Sequence, residues 1–261
     1  MPLGVAATAP FGADVLERLA ARFDVAFCLT RPDAPKGRGR RLAPPPAKET
    51  AARLGIPVLQ PERLGPELEL DADTIVVAAY GLLIPESLLG RGLWLNVHPS
   101  LLPRWRGAAP VERAILAGDE ETGVTIHETV KELDAGPIAA QRAFPIGDAD
   151  AGEVFARAAE LAVELLAEVL PEPSFRPQPE DGVTYAAKIG PGDRELDLSD
   201  PVGSLRRIRA LSPHIGARGE LHGRRVTIWR AAIEGGELAP LEVQPEGRRR
   251  MSYDEFLRGL R

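Results

Sequence analysis

Between Leu3 and His98, short apolar runs alternate with amphipathic stretches: Leu3–Thr8, Ala13–Phe23, Val25–Thr30, Ala47–Leu54, Thr74–Tyr80 and Leu93–His98. Strands joined by helical segments pair in parallel, because a helix supplies the crossover that a tight turn cannot. The pattern therefore predicts an α/β fold with a mostly parallel sheet. Within the second stretch, positions 15, 16, 19, 20 and 23 form one apolar helical stripe, the face that packs on the sheet. Further along, Val111–Leu116 reads as a short helix stopped by Gly118, Gly123–Val130 and Pro137–Ile146 as strands, and Glu153–Leu170 as a closing helix.

Residues 171–182 then place four prolines within nine positions, which predicts an extended linker. Beyond it lie a helical stretch, Val202–Leu211, and β-like runs at Arg225–Trp229 and Leu238–Val243. A last helix begins at Ser252, whose spacing to Glu255 predicts a capping box. The expected organisation is a catalytic domain over 1–172, a linker over 173–182 and a small β-barrel-like domain over 183–261.

With 261 residues and 44% apolar content, the chain has ample material for a core. No run approaches the roughly 20 apolar residues of a membrane span, and Met1–Val5 lacks a basic leader region, so a cytoplasmic protein without a membrane partner is expected. The one cysteine, Cys28, lies in a strand-like apolar run and reads as a buried thiol; no metal-ligand spacing is present, and no metal is expected. A net charge of −6 argues against indiscriminate coating of nucleic acid. Its distribution is uneven: residues 1–175 carry net −8 and residues 176–261 net +2. Five basic residues against Asp33 fall between Arg31 and Arg41, and seven against Glu220 between Arg206 and Arg230.

The chemistry-bearing residues follow the apolar run Leu93–Leu95. Alternation puts Asn96 and His98 on one strand face with Val97 turned away. Asp134, in Asp134-Ala135-Gly136, follows 38 residues after Asn96. An amide, an imidazole and a carboxylate suit transfer of a carbonyl group to an amine: the first two donate to a developing oxyanion and the carboxylate stabilises the imidazolium. Spacing alone leaves Asp134 equally readable as an Asx turn, and the loop Tyr80-Gly81-Leu82-Leu83-Ile84 as an ordinary strand-to-helix turn. The segment Arg31–Leu42, with Gly37 and Gly39 among its cations, reads as either a phosphate-contacting loop or a solvated basic loop. His127 alternates with Thr125 and Thr129 and reads as a partly exposed strand residue.

Asn96-Val97-His98, the run Pro99–Pro110 with its Ser100-Leu101-Leu102-Pro103 loop, and Asp134-Ala135-Gly136 together resemble the 10-formyltetrahydrofolate-dependent formyltransferases, over about Thr8 to Met251. The variant Leu101–Pro110 is similar to the branch that formylates methionyl-tRNA. The resemblance implies a Rossmann-like catalytic domain followed by an oligonucleotide-binding-type barrel, with catalytic roles for Asn96, His98 and Asp134. It implies folate contact for Tyr80, Gly81, Leu82, Leu83 and Ile84, for Ser100, Leu101, Leu102 and Pro103, and for Gly136. It implies that Lys36, Arg38, Arg40 and Arg41 meet the acceptor stem of initiator methionyl-tRNA, with Arg206, Arg207, Arg209, Arg224 and Arg225 extending the track. Between Trp229 and Glu242 the chain is shorter than the family pattern, which puts barrel closure in question. The expected activity is transfer of the formyl group of 10-formyltetrahydrofolate to the α-amine of methionyl-initiator tRNA by a monomer. The alternatives are a nucleotide-sugar or glycinamide-ribonucleotide formyltransferase, which needs no basic loop, and an inactive RNA-binding protein of the same fold.

Overall fold

The computed structural model describes residues 2–36 and 39–260, and for Lys36 the backbone. In chain order its elements are β1 (Leu3–Ala7), α1 (Pro10–Ala20), β2 (Val25–Leu29), β3 (Ala34–Lys36), β4 (Arg41–Ala43), α2 (Pro46–Leu54), β5 (Val58–Leu59), β6 (Thr74–Ala78), α3 (Glu86–Leu89), β7 (Leu93–His98), β8 (Arg106–Gly107) and α4 (Pro110–Ala117). There follow β9 (Glu121–Glu128), β10 (Ile138–Pro145), α5 (Ala151–Val169), β11 (Tyr185–Ala186), α6 (Pro201–Leu211), β12 (Ala217–Leu221), β13 (Arg224–Glu234), β14 (Glu237–Pro245), β15 (Met251–Ser252) and α7 (Tyr253–Arg258). The chain forms two compact units, one of residues 1–106, 123–143 and 156–185, the other of 107–122, 144–155 and 186–261.

The first unit is built on a seven-stranded sheet in the order β10-β9-β7-β6-β1-β2-β5. The pairs β1/β2, β1/β6, β6/β7 and β2/β5 are parallel, and β9 runs antiparallel to β7. Strand β1 is buried at every position, as a central strand covered on both faces should be. Phe11, Val15, Leu16 and Leu19 of α1 supply the buried helical stripe. Gly12 lets that helix approach closely, since a Cβ there would lie 2.2 Å from the Ala78 carbonyl oxygen. Cys28 is fully buried and its thiol is pushed up to about 12 by desolvation, which makes it a structural residue. Because β1, β6 and β7 are parallel, the loops after Ala7, Ala78 and His98 all leave the same end of the sheet, where open α/β folds place ligands.

The second unit carries an antiparallel sheet, β12-β13-β14-β15, with Ile208 and Leu211 of α6 and Phe256 of α7 buried together with Val226, Ile228 and Val243. Among the described residues β12 and β15 are not paired with each other and an isolated bridge joins Glu195 to Arg218 of β12, so the barrel-like expectation takes the form of a four-stranded antiparallel sheet. At α7 the capping box is half formed. Ser252 Oγ accepts from the Glu255 amide, but the Glu255 carboxylate turns to Arg249 at 2.9 Å. The reciprocal box occurs instead at the start of α5, between Asp150 and Glu153.

Candidate active site

Strand β7 presents Asn96 and His98 on one face, and its register with β9 sets Asn96 opposite His127 and His98 opposite Thr125. Directly opposed residues share a sheet face, so His127 joins the same polar surface as Asn96. Asp134 reaches that surface from the turn after β9, in a left-handed conformation with φ of 47°.

The three sequence-predicted groups meet. Asn96 Nδ2 donates to Asp134 Oδ1 at 3.0 Å, and His98 Nδ1 lies 3.7 Å from Asp134 Oδ2. His98 Nε2 donates to the Trp105 carbonyl at 2.8 Å. A fourth group is present that sequence reasoning placed wrongly: His127 is 1% exposed, not partly exposed, and its Nε2 lies 3.7 Å from Asp134 Oδ1. Its Nδ1 faces the Glu128 carbonyl at 2.9 Å and so must donate, leaving Nε2 bare and without a hydrogen-bond partner. Burial, reinforced by the neighbouring His98 and opposed by Asp134, pushes the His127 imidazole down to about 4. At neutral pH His127 is therefore uncharged. The signal for His127 was its parity with Thr125 in the strand; what was missing was the register that sets β9 against β7.

The supports around the trio explain the local sequence. Gly136 is required because a Cβ would lie 1.8 Å from the Glu128 carbonyl oxygen, the same oxygen that accepts from His127. Thr125 Oγ1 donates to the Ser100 carbonyl and accepts from the Leu102 amide and from Gln141 Nε2. This pins the Ser100-Leu101-Leu102-Pro103 loop. Ser100 is fully buried with its hydroxyl donating to the Arg104 carbonyl at 2.7 Å, and Leu102 is buried too; both brace the loop, while Leu101 and Pro103 are half-buried.

At the end of β6, Ala79 and Gly81 have positive φ and expose the backbone of the next turn. Leu82 and Leu83 are exposed and Ile84 half-buried, an apolar surface of the kind a flat heterocycle covers. Tyr80 points the other way, buried among Phe27, Leu88 and Trp94 with its hydroxyl pushed up to about 12 by desolvation, and it supports this loop from beneath.

Of the basic residues, Arg38 and the Lys36 side chain lie outside the described residues, while Arg40 and Arg41 are exposed on the β3–β4 hairpin. In the second unit Arg206, Arg224 and Arg225 are exposed. Arg207 is instead engaged by the Glu195 carbonyl at 2.7 Å, and Arg209 by the carbonyls of Gly147 and Ala149. Those two guanidinium groups brace the fold. Among the described residues no group of three or more His, Cys, Asp or Glu forms a metal-holding cluster, and no helix is long and apolar enough to cross a membrane.

The formyl transferase family profile matches residues 5–170. The methionyl-tRNA formyltransferase of Halorhodospira halophila is 48% identical over 80% of this chain and 72% of its own length. That of Paracoccus denitrificans is 40% identical over 97% of this chain and 95% of its own length. Among solved structures, HypX from Aquifex aeolicus in complex with tetrahydrofolic acid superposes with a TM-score of 0.70 at 18% identity, covering 98% of this chain. This chain spans about half of that protein, 47% of its length, and the likeness is one of fold.

Proposed function

The chain belongs to the formyl transferase family, and from that premise we propose that it transfers the formyl group of 10-formyltetrahydrofolate to the α-amine of methionyl-initiator tRNA. The observation that carries this reading is the buried carboxylate of Asp134, 10% exposed, between Asn96 and His98 at the ligand-binding end of the sheet. When bound, the folate cosubstrate supplies an activated formyl carbon; everything else is the work of side chains. Asn96 commits one amide hydrogen to Asp134 and keeps the second for the oxygen that gains charge as the amine adds. His98, held at Nε2 by the Trp105 carbonyl, stands beside it with Nδ1 as second donor, and Asp134 offsets positive charge on that imidazole while the proton passes to the leaving nitrogen from the ammonium formed when the amine has added. His127, being neutral, adds no competing charge.

Folate is assigned to the exposed Gly81–Ile84 turn and the pinned Leu101–Pro103 loop. The initiator tRNA is assigned to the exposed Arg40 and Arg41 with Arg38 and Lys36, and to Arg206, Arg224 and Arg225; Arg207 and Arg209 shape the second surface. Residues 1–172 then act as the catalytic part, 173–182 as connection and 183–261 as the tRNA-holding part of a cytoplasmic monomer. The identities of 48% and 40% to methionyl-tRNA formyltransferases support this choice over a small amine acceptor.

The direct test is transfer of labelled formyl from 10-formyltetrahydrofolate to charged initiator methionyl-tRNA, with an aminated nucleotide sugar, glycinamide ribonucleotide and free methionine alongside. Label on the tRNA alone is the expected result. Label only on a small amine would keep the trio's chemistry and reject the tRNA.

A further inference from the structure

Sequence reads residues 171–182 as a plain linker, yet its centre is tied to the catalytic turn. Gln178 Nε2 donates to the Asp134 carbonyl and to the Gly136 carbonyl, both at 2.8 Å. Its Oε1 accepts from Arg106 Nε at 3.1 Å and Nη2 at 2.6 Å. The primary amide thus uses both hydrogens and both lone pairs, a fully satisfied bridge. Arg106 directly follows Trp105, whose carbonyl holds His98 Nε2. Two residues before Gln178, Arg176 pairs with Ile138 through backbone bonds of 2.7 and 2.9 Å. Six residues after it, Thr184 accepts from the Trp105 and Arg106 amides, each at 2.9 Å.

We propose that Gln178 is a positioning residue for the reaction, and that the proline-rich segment is a strap which holds the Asp134 turn and the Trp105–Arg106 backbone in the geometry the trio needs. The inference rests on the catalytic reading of Asp134. Asp134 sits at a φ of 47°, in the left-handed region that Asp enters more readily than most non-glycine residues but that still costs more than the right-handed one. Two charge-independent bonds to the carbonyls on either side of Ala135 hold the turn in this conformation. Pro177 and Pro179 flank Gln178 and restrict the backbone before the bridge forms, so presenting the side chain costs little conformational entropy. Beside the strap and the turn lies a cavity of about 420 Å³ lined by Arg106, Ala135, Pro137, Pro177 and Gln178 among others.

The test compares Gln178→Leu, which removes the bridge, with Gln178→Glu, which keeps the acceptor for Arg106 and loses both donors to the turn. A misplacement on the order of 1 Å costs about 100-fold in rate, so both variants should lose roughly 10- to 100-fold in kcat. KM for 10-formyltetrahydrofolate and the thermal midpoint should stay near the parent values. Each substitution is also made in an Asp134→Asn background, where a residue that acts through Asp134 has little left to remove. Full additivity there, or unchanged kcat in both single variants, overturns the proposal while leaving the trio intact. A fall in kcat that tracks loss of thermal midpoint overturns it as well, in favour of a purely structural bridge. Near-normal turnover of Asp134→Asn alone overturns the catalytic reading itself, and the strap's role with it.

Discussion

Asp134 divides one carboxylate among Asn96, His98 and His127, and the two oxygens do different work. Oδ1 fixes the Asn96 amide, so on the proposed mechanism Asn96→Ala removes an oxyanion donor together with its bond to Oδ1. We expect a loss of about 100- to 1000-fold in kcat with folate affinity retained, measured by single-turnover formyl transfer. Turnover within threefold of the parent would remove Asn96 from the chemistry. His127 makes a pH prediction. Its folded value near 4 lies below the unfolded value of about 6.5, so the unfolded chain binds more protons between them and stability rises with pH in that window. The contribution is whole above about pH 6.5 and is lost as pH falls towards 4. Urea midpoints between pH 7.5 and 5 should therefore decline more steeply for the parent than for His127→Gln. Parallel curves would show that His127 is already protonated in the folded protein.

At the scale of elements, the turn between β9 and β10 is held by close packing. Gly136→Ala forces a methyl against the Glu128 carbonyl oxygen, and overpacking of this kind costs about 1–3 kcal/mol. Because the same oxygen orients His127, turnover should fall with stability, and an alanine variant equal to the parent in both would show that the turn shifts freely. The β3–β4 hairpin is the complementary case. It carries exposed Arg40 and Arg41. Replacing Arg38, Arg40 and Arg41 by Ala should weaken tRNA binding and flatten the slope of log affinity against log salt by about one unit per lost phosphate contact, with KM for folate unchanged. An unchanged slope would leave the hairpin as a solvated basic loop. In helix α6, by contrast with the hairpin, Arg207 and Arg209 donate to backbone carbonyls, so a count of charges along the sequence does not equal a count of exposed guanidinium groups.

For the whole molecule, the acidic first part and the slightly basic last part predict separable contributions to substrate binding. Arg224→Glu with Arg225→Glu, on exposed strand positions of the second unit, should raise KM for methionyl-tRNA while leaving kcat at saturating tRNA and KM for folate near the parent. An equal fall in kcat at saturation would mean that this surface takes part in the transition state.

Local patterns sufficed for what depends on nearest neighbours. Alternating apolar runs determined the parallel sheet, β7 begins and ends where the sequence analysis placed it, and Gly118 closes α4 in the left-handed conformation that a stop signal implies. Asn96 and His98 were legible because a strand's two-residue period needs no knowledge of the rest of the chain. Contacts set by register and by returning segments were not legible. His127 became a site residue only when β9 paired with β7, and Ser100 changed from a ligand contact to a brace once Thr125 lay across from His98. Gln178, in a stretch whose prolines say only that it is extended, acquired its partners because the chain folds back over a turn some 40 residues earlier. Periodicity is local and is written in the sequence; which two distant polar groups satisfy each other is decided by packing, because only the folded chain brings them within hydrogen-bonding distance.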